Sequence, residues 1–344
     1  MKIERIETEI VEVPWDAHQM RKQLFVRIST DEGLTGIGES WAGAAPGPVN
    51  AAITDLLKPL LIGRDSSQIE RLSQEMHKAG YRYGTEGVIP CAVSGIDLAL
   101  WDLMGKRYRV PVAHLIGGTV KSGVRVYASF GALNDEHKLT QELEKMLRAG
   151  YTAVKLHDVQ EDLVALARRV VGTEFTIMLD PTGQWSIRET QEKSKRFEAY
   201  DILWIEEPIF PMQDHASIAR AGRDTSISFA AGENEYTLSG YHRLIASGAV
   251  DYIQPELSKM GGLTMARKVA VLGELFNYTI CPHCYLIGPA SYAGVQLGFT
   301  QKYMDWHEMK WAPAGFDRAV VPPLAVKNGF VELPTEPGLG MPIN

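Results

Sequence analysis

Three apolar runs, TIMLD, ILWIE and ISFAAGE, end at the acidic residues Asp180, Glu206 and Glu233. The runs recur at intervals of roughly 25 residues, which suits a strand, a helix and two loops, because a βαβ unit with its second strand occupies about 30 residues or more. Short apolar runs of this kind are typical of buried strands. The pattern therefore predicts repeated β/α units, each with a polar side chain at the carboxyl end of its strand.

The same interval continues on both sides of this stretch. Lys155 ends the run TAVK upstream, and Glu256, His283 and Asp305 follow DYIQP, TICP and KYM downstream. From Gly123 onwards the chain contains eight candidate strands: VRVYASF, TAVKLHD, TIMLD, ILWIEEP, ISFAAGE, DYIQPE, TICPH and KYMDWHE. In a β/α barrel the carboxyl ends of the strands converge on one face, where the active site lies. We therefore expect an α/β barrel whose polar strand ends meet around one pocket.

The region before these units has a different pattern. Alternating apolar and polar residues predict a three-stranded meander, over residues 3–13, 24–29 and 34–39. Helical periodicity predicts three helices, over residues 49–61, 68–78 and 88–107. The last helix is apolar on most of its sides, which is typical of a buried helix. The Pro- and Gly-rich tail from about Pro313 is expected to pack back onto this region.

Composition narrows the classes of function. The chain has 344 residues, a net charge of −7 and 45% hydrophobic residues, which is ordinary for a soluble globular protein. The negative charge argues against nonspecific nucleic-acid binding, because such binding depends on neutralising phosphates. We find no apolar run that approaches ~20 residues, so we expect no membrane span. The N-terminal sequence MKIERIETEIVEVP has the alternation of a strand and not the pattern of a signal peptide.

The chain has three cysteines, Cys91, Cys281 and Cys284. An odd and low number suits a reducing compartment, so we expect a cytoplasmic protein. The segment CPHC could suggest zinc, but structural zinc sites need four nitrogen or sulfur ligands and usually a second paired motif. The sequence contains no such second motif.

Segments along most of the chain carry a family resemblance. They are DEGLTGIGES, SGIDLALWDLMGKRYRVPVAHLIGG, VKLH, LDPTGQW, WIEEP, AGEN, IQPELSKMGGLT and PHCYLIGP. In order and spacing they resemble the enolase superfamily, in its mandelate racemase-like subgroup, which includes acid-sugar dehydratases. The resemblance implies an α+β capping domain over a (β/α)7β TIM-like barrel. Residues 1–118 would form the capping domain, completed by the tail 313–344, and residues 119–312 would form the barrel.

The resemblance also implies Mg²⁺ at the barrel mouth, with Asp180, Glu206 and Glu233 as its ligands. Mg²⁺ prefers oxygen, and three carboxylates leave coordination positions for water and for a substrate carboxylate. The family removes a proton α to a carboxylate, and a divalent cation in a dry site stabilises the enediolate that results. As an alternative, each carboxylate could cap the helix that follows its strand.

The acid/base residues implied by the resemblance lie on two strands. His283 matches a histidine of the seventh barrel strand, and Glu256 replaces the aspartate with which the family pairs it; such a carboxylate raises the basicity of the ring. Lys155 and His157 form K-x-H where the subgroup usually has K-x-K, and the period of two places both side chains on one face of the strand. Lys155 is expected to contact the substrate carboxylate, whereas His157 could be a base, an acid for a leaving hydroxyl or a hydroxyl ligand. The alternatives are a structural histidine at 283, a solvated lysine at 155 and a polar pocket-lining residue at 157.

Substrate contacts are expected from two places. Asp305 falls where the family often carries a glutamate on the eighth strand, and Glu308 lies in the same region. Specificity should come from capping-domain loops near residues 15–21 and 81–85. Candidate polyol contacts in these loops are Arg21, Tyr81 and Arg82.

Together these residues predict a Mg²⁺-dependent lyase that dehydrates an acid sugar to a 2-keto-3-deoxy acid. The main alternative is an isomerase that uses the same enediolate, such as a racemase, an epimerase or a sugar-lactone cycloisomerase. A barrel that only binds ligands is a third alternative, against which the acid/base pair argues. The substrate would be a small-molecule carboxylate, and we expect a homo-oligomer because such assemblies are common among soluble proteins.

Overall fold

The computed structural model describes residues 1–14, 20–311 and 321–342. Most of the predicted specificity loop, residues 15–19, and the start of the tail, residues 313–320, lie outside the described residues.

The N-terminal region begins with a three-stranded antiparallel sheet. Its strands are β1 (Ile3–Pro14), β2 (Met20–Thr30) and β3 (Thr35–Ser40), paired in the order β1-β2-β3. The helices that follow are α1 (Pro46–Ala51), α2 (Lys58–Leu61), α3 (Ile69–Gly80), α4 (Val88–Tyr108) and α5 (Val112–Leu115). A π-helical turn, Ala52–Leu57, joins α1 to α2, and a 3₁₀ turn, Tyr81–Tyr83, follows α3. The predicted meander and the predicted helical segments are confirmed.

The remaining chain forms the barrel. In the described residues its parallel strands are β4 (Val124–Phe130), β5 (Ala153–Leu156), β6 (Thr176–Leu179), β7 (Ile202–Glu206), β8 (Ser228–Ala231), β9 (Tyr252–Ile253), β10 (Thr279–Ile280) and β11 (Trp306–Lys310). The helices between them are α6 (Glu136–Arg148), α7 (Glu161–Val171), α8 (Ile187–Phe197), α9 (His215–Ala221), α10 (Leu238–Ser247), α11 (Gly262–Leu275) and α12 (Pro289–Thr300). Each strand pairs in parallel with the next from β4 to β10, and β11 pairs in parallel with β4. The fold is the predicted α/β TIM-like barrel with an N-terminal α+β capping domain.

Backbone hydrogen bonds close the barrel between β10 and the last strand. Ile280 N donates to Tyr303 O at 2.9 Å, and Glu308 N donates to Pro282 O at 3.3 Å. Bulky side chains fill the interior below the strand ends, among them Tyr127, Met178, Trp204, Cys281 and Trp306. The barrel therefore has a packed core, and ligands have access only at its ends.

The long helix α4 lies between the capping sheet and the barrel. By length and mean hydropathy alone it could cross a membrane, although polar residues such as Asp97 and Asp102 interrupt its apolar sequence. In the structure, however, 89% of its most apolar window is buried. It packs against β3 on one side and against α11 on another. This is the environment of a core helix, which the sequence pattern predicted.

The tail returns to both parts of the molecule. Strands β12 (Val326–Lys327) and β13 (Phe330–Val331) form a hairpin that pairs antiparallel with β4. Farther along, Leu339 N donates to the Asp102 carboxylate of α4 at 2.9 Å. Gln296 of α12 donates to Pro334 O at 3.1 Å. The described part of the tail thus connects α4 to the barrel.

The position of the last barrel strand differs from the sequence prediction. The predicted strand covered KYMDWHE, but β11 begins only at Trp306 and ends at Lys310. Because parallel strands run toward the site at their carboxyl ends, Asp305 lies at the opposite end of β11 and is exposed. The assignment of Asp305 as a strand-end substrate contact is therefore wrong.

Candidate active site

The predicted polar residues lie at the carboxyl ends of consecutive strands. They are Lys155 in β5, Asp180 after β6, Glu206 at the end of β7, Glu233 after β8, Glu256 after β9 and His283 after β10. Ion pairs link them across the barrel mouth, and only Glu233 is partly exposed. We call these six residues the strand-end cluster.

Lys155 is surrounded by three carboxylates. Its Nζ lies 2.5 Å from Glu206 Oε1, 3.0 Å from Glu308 Oε1 and 3.6 Å from Asp180 Oδ2. Burial alone would lower the pKa of Lys155, but the charges of Glu206 and Glu308 raise this pKa well above its usual range. The side chain is fully buried, which excludes a solvated lysine at the rim. Its ammonium is suited to bind a carboxylate that enters the mouth.

His157 shares the strand face of Lys155, as the period of two predicted. Its Nδ1 donates to the Phe130 carbonyl oxygen at 2.7 Å, and its Nε2 lies 3.0 Å from Asp180 Oδ2. A carbonyl oxygen only accepts, so Nδ1 carries a proton and Nε2 faces the cluster. Burial would lower the pKa of His157, but the charge of Asp180 and the hydrogen bond to it raise the pKa above its ordinary value.

His283 and Glu256 form a hydrogen-bonded dyad on adjacent strand ends. His283 Nδ1 donates to Glu256 Oε2 at 2.7 Å. The other carboxylate oxygen, Oε1, accepts from Ser258 N at 2.8 Å and from Ser258 Oγ at 2.6 Å. The opposite ring nitrogen, Nε2, lies 2.6 Å from Glu233 Oε2 and 3.5 Å from Glu308 Oε2. The dyad thus fixes the ring and directs Nε2 into the mouth of the barrel.

Charge and burial also act strongly on the His283 ring. Burial alone would lower the pKa of His283, but the carboxylates of Glu233 and Glu308 raise the pKa well above its ordinary value. The hydrogen bonds to Glu233 and Glu256 act in the same direction. The carboxylates around the ring thus stabilise the imidazolium that forms when Nε2 takes up a proton.

Neighbouring side chains orient Glu233. Lys259 Nζ lies 3.4 Å from Glu233 Oε1, and Asn234 Nδ2 donates to the same oxygen at 3.1 Å. Asn234 also donates to Glu207 Oε2 at 2.7 Å. Burial raises the pKa of Glu207 to about 8, and the charge of Glu233 contributes to the rise. Glu207 therefore supports its neighbours and adds little negative charge at neutral pH.

The donor set of the cluster fits a hard divalent cation. Asp180, Glu206 and Glu233 present carboxylate oxygens from three successive strand ends, and hard cations such as Mg²⁺ prefer oxygen ligands. Burial raises the pKa of Glu206 to about 7; Lys155 opposes this rise, and the charges of Asp180 and Glu308 add to it. This excess of buried negative charge is what a divalent cation would offset.

His283 lies close enough to be considered a metal ligand as well. One ligand atom each from Glu206, Glu233 and His283 lie within 4.8 Å of one another. We favour the three carboxylates, because the Nδ1 atom of His283 is already bound to Glu256 and a hard cation prefers oxygen to imidazole nitrogen.

Glu308 lies at the site, unlike Asp305. It is buried within β11, and its Oε2 accepts a hydrogen bond from Cys284 N at 3.0 Å. Burial would raise the pKa of Glu308, but Lys155 and His283 lower it to about 2. Glu308 is therefore a carboxylate at neutral pH, next to the two groups predicted to handle the substrate.

The predicted capping-domain contacts divide into two groups. Tyr81 is 57% exposed, and Arg82 Nε donates to its hydroxyl at 2.8 Å. In the part of the chain that the structure describes, neither side chain forms a hydrogen bond or an ion pair with the strand-end cluster. Arg21, at the start of β2, lies close enough to the Tyr285 hydroxyl for its charge to affect the pKa of that tyrosine.

Sequence reasoning missed three residues at the site. Gln254 Nε2 donates to Glu206 Oε2 at 2.5 Å, from a position two residues before Glu256 on the same strand face. Tyr285 packs its ring on His283, with the ring centroids 6.5 Å apart. Lys310 ends β11 on the face of Glu308 and lies 3.3 Å from the Tyr285 hydroxyl. The period of two could have identified Gln254 and, with the correct strand position, Lys310.

Two cavities of the described structure lie away from the strand-end cluster. One, of about 370 Å³, is lined by residues around Phe229 and Val250, and the other, of about 270 Å³, lies on β1 and β2. Neither is lined by a predicted site residue. We therefore locate the active site by its chemistry and not by cavity size.

Two family models match the chain. The N-terminal domain of the mandelate racemase / muconate lactonizing enzyme family matches residues 5–117, and the enolase C-terminal domain-like family matches residues 138–344. The chain belongs to the mandelate racemase / muconate lactonizing enzyme family. The resemblance to the enolase superfamily is thereby confirmed.

Members of this family that resemble the chain include enzymes with different named reactions. It is 31% identical to a D-galactarolactone cycloisomerase of Agrobacterium fabrum, over 100% of the chain and 97% of the relative. It is 32% identical to a D-galactonate dehydratase of Verminephrobacter eiseniae, over 100% of the chain and 92% of the relative. A racemase from Streptomyces coelicolor, solved with bound magnesium, matches with a TM-score of 0.90 and 28% identity, covering 99% and 97% of the two chains.

Proposed function

We propose that the chain is a Mg²⁺-dependent lyase that dehydrates an acid sugar. The observation that carries this proposal is the His283–Glu256 dyad facing a set of three carboxylates, of which two are buried and Glu233 is partly exposed. The dyad supplies a proton-transfer group, and the carboxylates supply a place for a divalent cation. The named dehydratase among the relatives supports the choice of reaction class.

The first requirement is to hold the substrate carboxylate. Lys155 Nζ already lies among Glu206, Glu308 and Asp180 at 2.5–3.6 Å, so a carboxylate near the same ammonium would be bound and oriented. A Mg²⁺ ion held by Asp180, Glu206 and Glu233 would supply the positive charge that stabilises the negative charge developing on the substrate.

The second requirement is to move two protons. His283 Nε2 would remove the proton from the α-carbon, while Glu256 holds the Nδ1–H and stabilises the imidazolium. The bond from the β-carbon to its hydroxyl then breaks, and the hydroxyl leaves as water after it receives a proton. The enol that remains tautomerises to a 2-keto-3-deoxy acid.

The two histidines of the mouth are not equivalent, which favours a lyase. His283 has a carboxylate on its Nδ1, whereas His157 has the neutral carbonyl of Phe130. A racemase needs competent acid/base groups on both faces of the α-carbon, whereas a dehydratase needs one strong base and one proton donor. We assign His283 to the α-proton and His157 to the leaving hydroxyl.

An isomerase is the second candidate. The barrel mouth carries a histidine after β5, His157, and another after β10, His283. One relative is named a cycloisomerase. Such an enzyme would use the same removal of the α-proton and would return a proton instead of losing a hydroxyl. The two candidates differ in product and not in the first step.

A screen of acid sugars with Mg²⁺ separates these candidates. Each sugar is incubated in D₂O, and both 2-keto acid formation and α-proton exchange are measured. The lyase forms a keto acid from at least one sugar. Exchange or ring opening without keto acid would favour the isomerase, and neither reaction with any sugar would contradict both.

A further inference from the structure

The segment that carries Glu256 continues into α11 and is bound by the capping domain. It runs from Glu256, after β9, to Thr264, in the first turn of α11, and we call residues 256–264 the dyad segment. The first backbone N–H groups of a helix have no partner within the helix. At α11 the N-cap residue is Gly261, which has no side chain to accept from them. Side chains of α4, in the capping domain, accept from several of these groups instead.

Ser94 of α4 accepts two hydrogen bonds from the dyad segment. Its Oγ donates to the Pro90 carbonyl oxygen, one turn earlier in α4, at 2.8 Å. A hydroxyl oxygen can also accept two hydrogen bonds, and Ser94 Oγ accepts from Gly261 N at 2.8 Å and from Gly262 N at 3.2 Å. The side chain is fully buried, so water cannot easily replace these bonds if the hydroxyl is removed.

Asp97, one turn later in α4, binds the next part of the segment. Its Oδ1 accepts from Thr264 N at 3.0 Å, and Trp101 Nε1 donates to Thr264 Oγ1 at 2.9 Å. A Cβ on Gly262 would lie only 2.3 Å from Asp97 Oδ1. The dyad segment therefore lies directly against α4, with no room for a side chain between them.

The other end of the segment is bound by the capping domain as well. Trp41 N, just after β3, donates to the Ser258 carbonyl oxygen at 2.9 Å. Lys259 Nζ lies 4.7 Å from the centroid of the Trp41 ring. Ser258 in turn binds Glu256 Oε1 through both its N–H and its hydroxyl. Continuous contacts thus lead from the capping domain to the carboxylate that holds His283.

We propose that Ser94 and Asp97 are positioning residues for proton transfer, which hold Glu256 against His283 through the dyad segment. This inference rests on the proposed function, because it takes the dyad to be the proton-transfer group. The strand β9 ends at Ile253, before Glu256, so strand pairing alone does not fix the carboxylate. Displacement of a catalytic group by about 1 Å can cost about 10²-fold in rate. The capping domain therefore contributes to catalysis through the backbone of a barrel loop.

The first measurement is backbone hydrogen exchange, followed by mass spectrometry, in the wild type, Ser94→Ala and Ser194→Ala. Ser194 is a matched control, because it is also a fully buried serine whose Oγ donates to a carbonyl oxygen one turn earlier, that of Thr190 in α8. Ser94→Ala should increase exchange in the dyad segment by about 2- to 30-fold, the factor that corresponds to loss of a helix N-cap. Ser194→Ala should leave exchange in that segment unchanged. Unchanged exchange in Ser94→Ala would overturn the proposal.

The second measurement is turnover of an acid sugar with Mg²⁺. Ser94→Ala should lower kcat by about 10- to 100-fold, with little change in KM, because the contacts with the substrate remain. Asp97→Ala should act in the same direction, and Asp97→Asn, which keeps an oxygen for Thr264 N, should recover most of the loss. Ser194→Ala should keep the wild-type kcat. If Ser94→Ala fails to fold, Ser94→Cys, with a similar volume and a weakly accepting sulfur, replaces it in both measurements.

A double-mutant cycle separates positioning from a general loss of stability. In the Glu256→Gln background, Ser94→Ala should lower kcat much less than in the wild type, because the partner of His283 is already weakened. The same fold-loss in both backgrounds would mean that Ser94 is only structural, and the proposal would be overturned.

The positioning role and the proposed function fail in different ways. If the wild type turns over an acid sugar and Ser94→Ala keeps the wild-type kcat, the positioning role is wrong and the proposed function stands. If the wild type neither turns over nor exchanges the α-proton of any acid sugar, the proposed function is wrong, and the positioning role is overturned with it.

Discussion

At the residue scale, Glu256 occupies the position where the family pairs its histidine with an aspartate. The second carboxylate oxygen of Glu256 holds this longer side chain in place. The longer side chain still reaches His283 Nδ1 at 2.7 Å, because Ser258 binds the other carboxylate oxygen through both its backbone and its hydroxyl. The sequence predicted the pair from the strand spacing. It could not predict the role of Ser258, because that role depends on the local turn after the strand.

The dyad leads to a first prediction, on turnover. His283→Asn should lower kcat by at least about 10²–10⁴-fold, because it removes the group that transfers the proton. Glu256→Gln should lower kcat less, by about 10- to 100-fold, because the ring remains in place with a weaker partner. His114→Asn, at an exposed histidine of α5, is the control and should retain wild-type turnover. Near-normal kcat in both dyad variants would mean that His283 is a structural residue.

At the element scale, the contact between β3 and α4 holds the capping domain together. A Cβ on Gly38 would lie 2.0 Å from the carbonyl oxygen of Gly95 and 2.6 Å from Ala99 N, so the backbones approach directly. We predict that Gly38→Ala destabilises the protein by about 1–3 kcal/mol or more, because backbone atoms must separate. Gly47→Ala in α1, where a Cβ has no neighbour within 4 Å, should be neutral or slightly stabilising. Equal melting temperatures for the two variants would contradict this account.

The contact between β3 and α12 predicts a pH dependence of stability. Glu39 of β3 is fully buried, accepts from Gln23 Nε2 at 2.8 Å and lies 3.5 Å from Ala290 N at the start of α12. Burial raises the pKa of Glu39 from 4.5 to about 8; Ala290 and Gln23 lower it in part, and Glu256 adds to the rise.

The sign of the effect follows from proton binding. The folded protein binds the Glu39 proton more tightly than the unfolded chain, so this group contributes most stability below pH 4.5 and loses it as the pH rises to about 8. We therefore predict that the wild type loses more unfolding free energy between pH 5 and pH 9 than Glu39→Gln does. Urea unfolding at both pH values measures the difference, and identical losses would show that Glu39 titrates normally.

The strands show what local sequence could and could not define. The period of two placed Lys155 and His157 on one face, and the apolar runs located the barrel strands from β4 to β10. The start of β11 was misplaced, because the segment KYMDWHE has no uninterrupted apolar run and the strand is defined by pairing with β4. That error assigned Asp305 to the site and left out Lys310.

At the scale of the whole molecule, the repeat of about 25 residues was sufficient to predict the barrel and the convergence of its polar strand ends. The repeat could not predict the residues that reach the site from loops or from the capping domain. Tyr285 lies in the loop after β10, and Arg21 meets it only because the capping domain docks on the barrel. Such contacts depend on docking between distant segments, for which a single sequence carries no periodic signal.

Because Asp180, Glu206 and Glu233 converge at three strand ends, we also expect Mg²⁺ binding to stabilise the folded chain. A cation that binds only the folded chain raises its stability, by about 2.7 kcal/mol at a concentration 100-fold above Kd. We predict that Mg²⁺ raises the melting temperature of the wild type and not of Glu206→Gln, and that chelation abolishes activity until Mg²⁺ is restored. Glu332→Gln, at an exposed carboxylate paired with Lys327, is the control and should respond as the wild type does. Full activity after complete metal removal would contradict the assignment.

The most direct test of the central claim measures the exchange of the substrate α-proton in D₂O by NMR, in two variants of the protein. Keto acid formation is measured in the same variants. The account assigns the α-proton to His283 and the leaving hydroxyl to His157. His283→Asn should therefore eliminate exchange, whereas His157→Asn should retain measurable exchange and lose turnover. If exchange instead persists in His283→Asn and disappears only in His157→Asn, the second barrel strand supplies the base, and the assignment of His283 is contradicted.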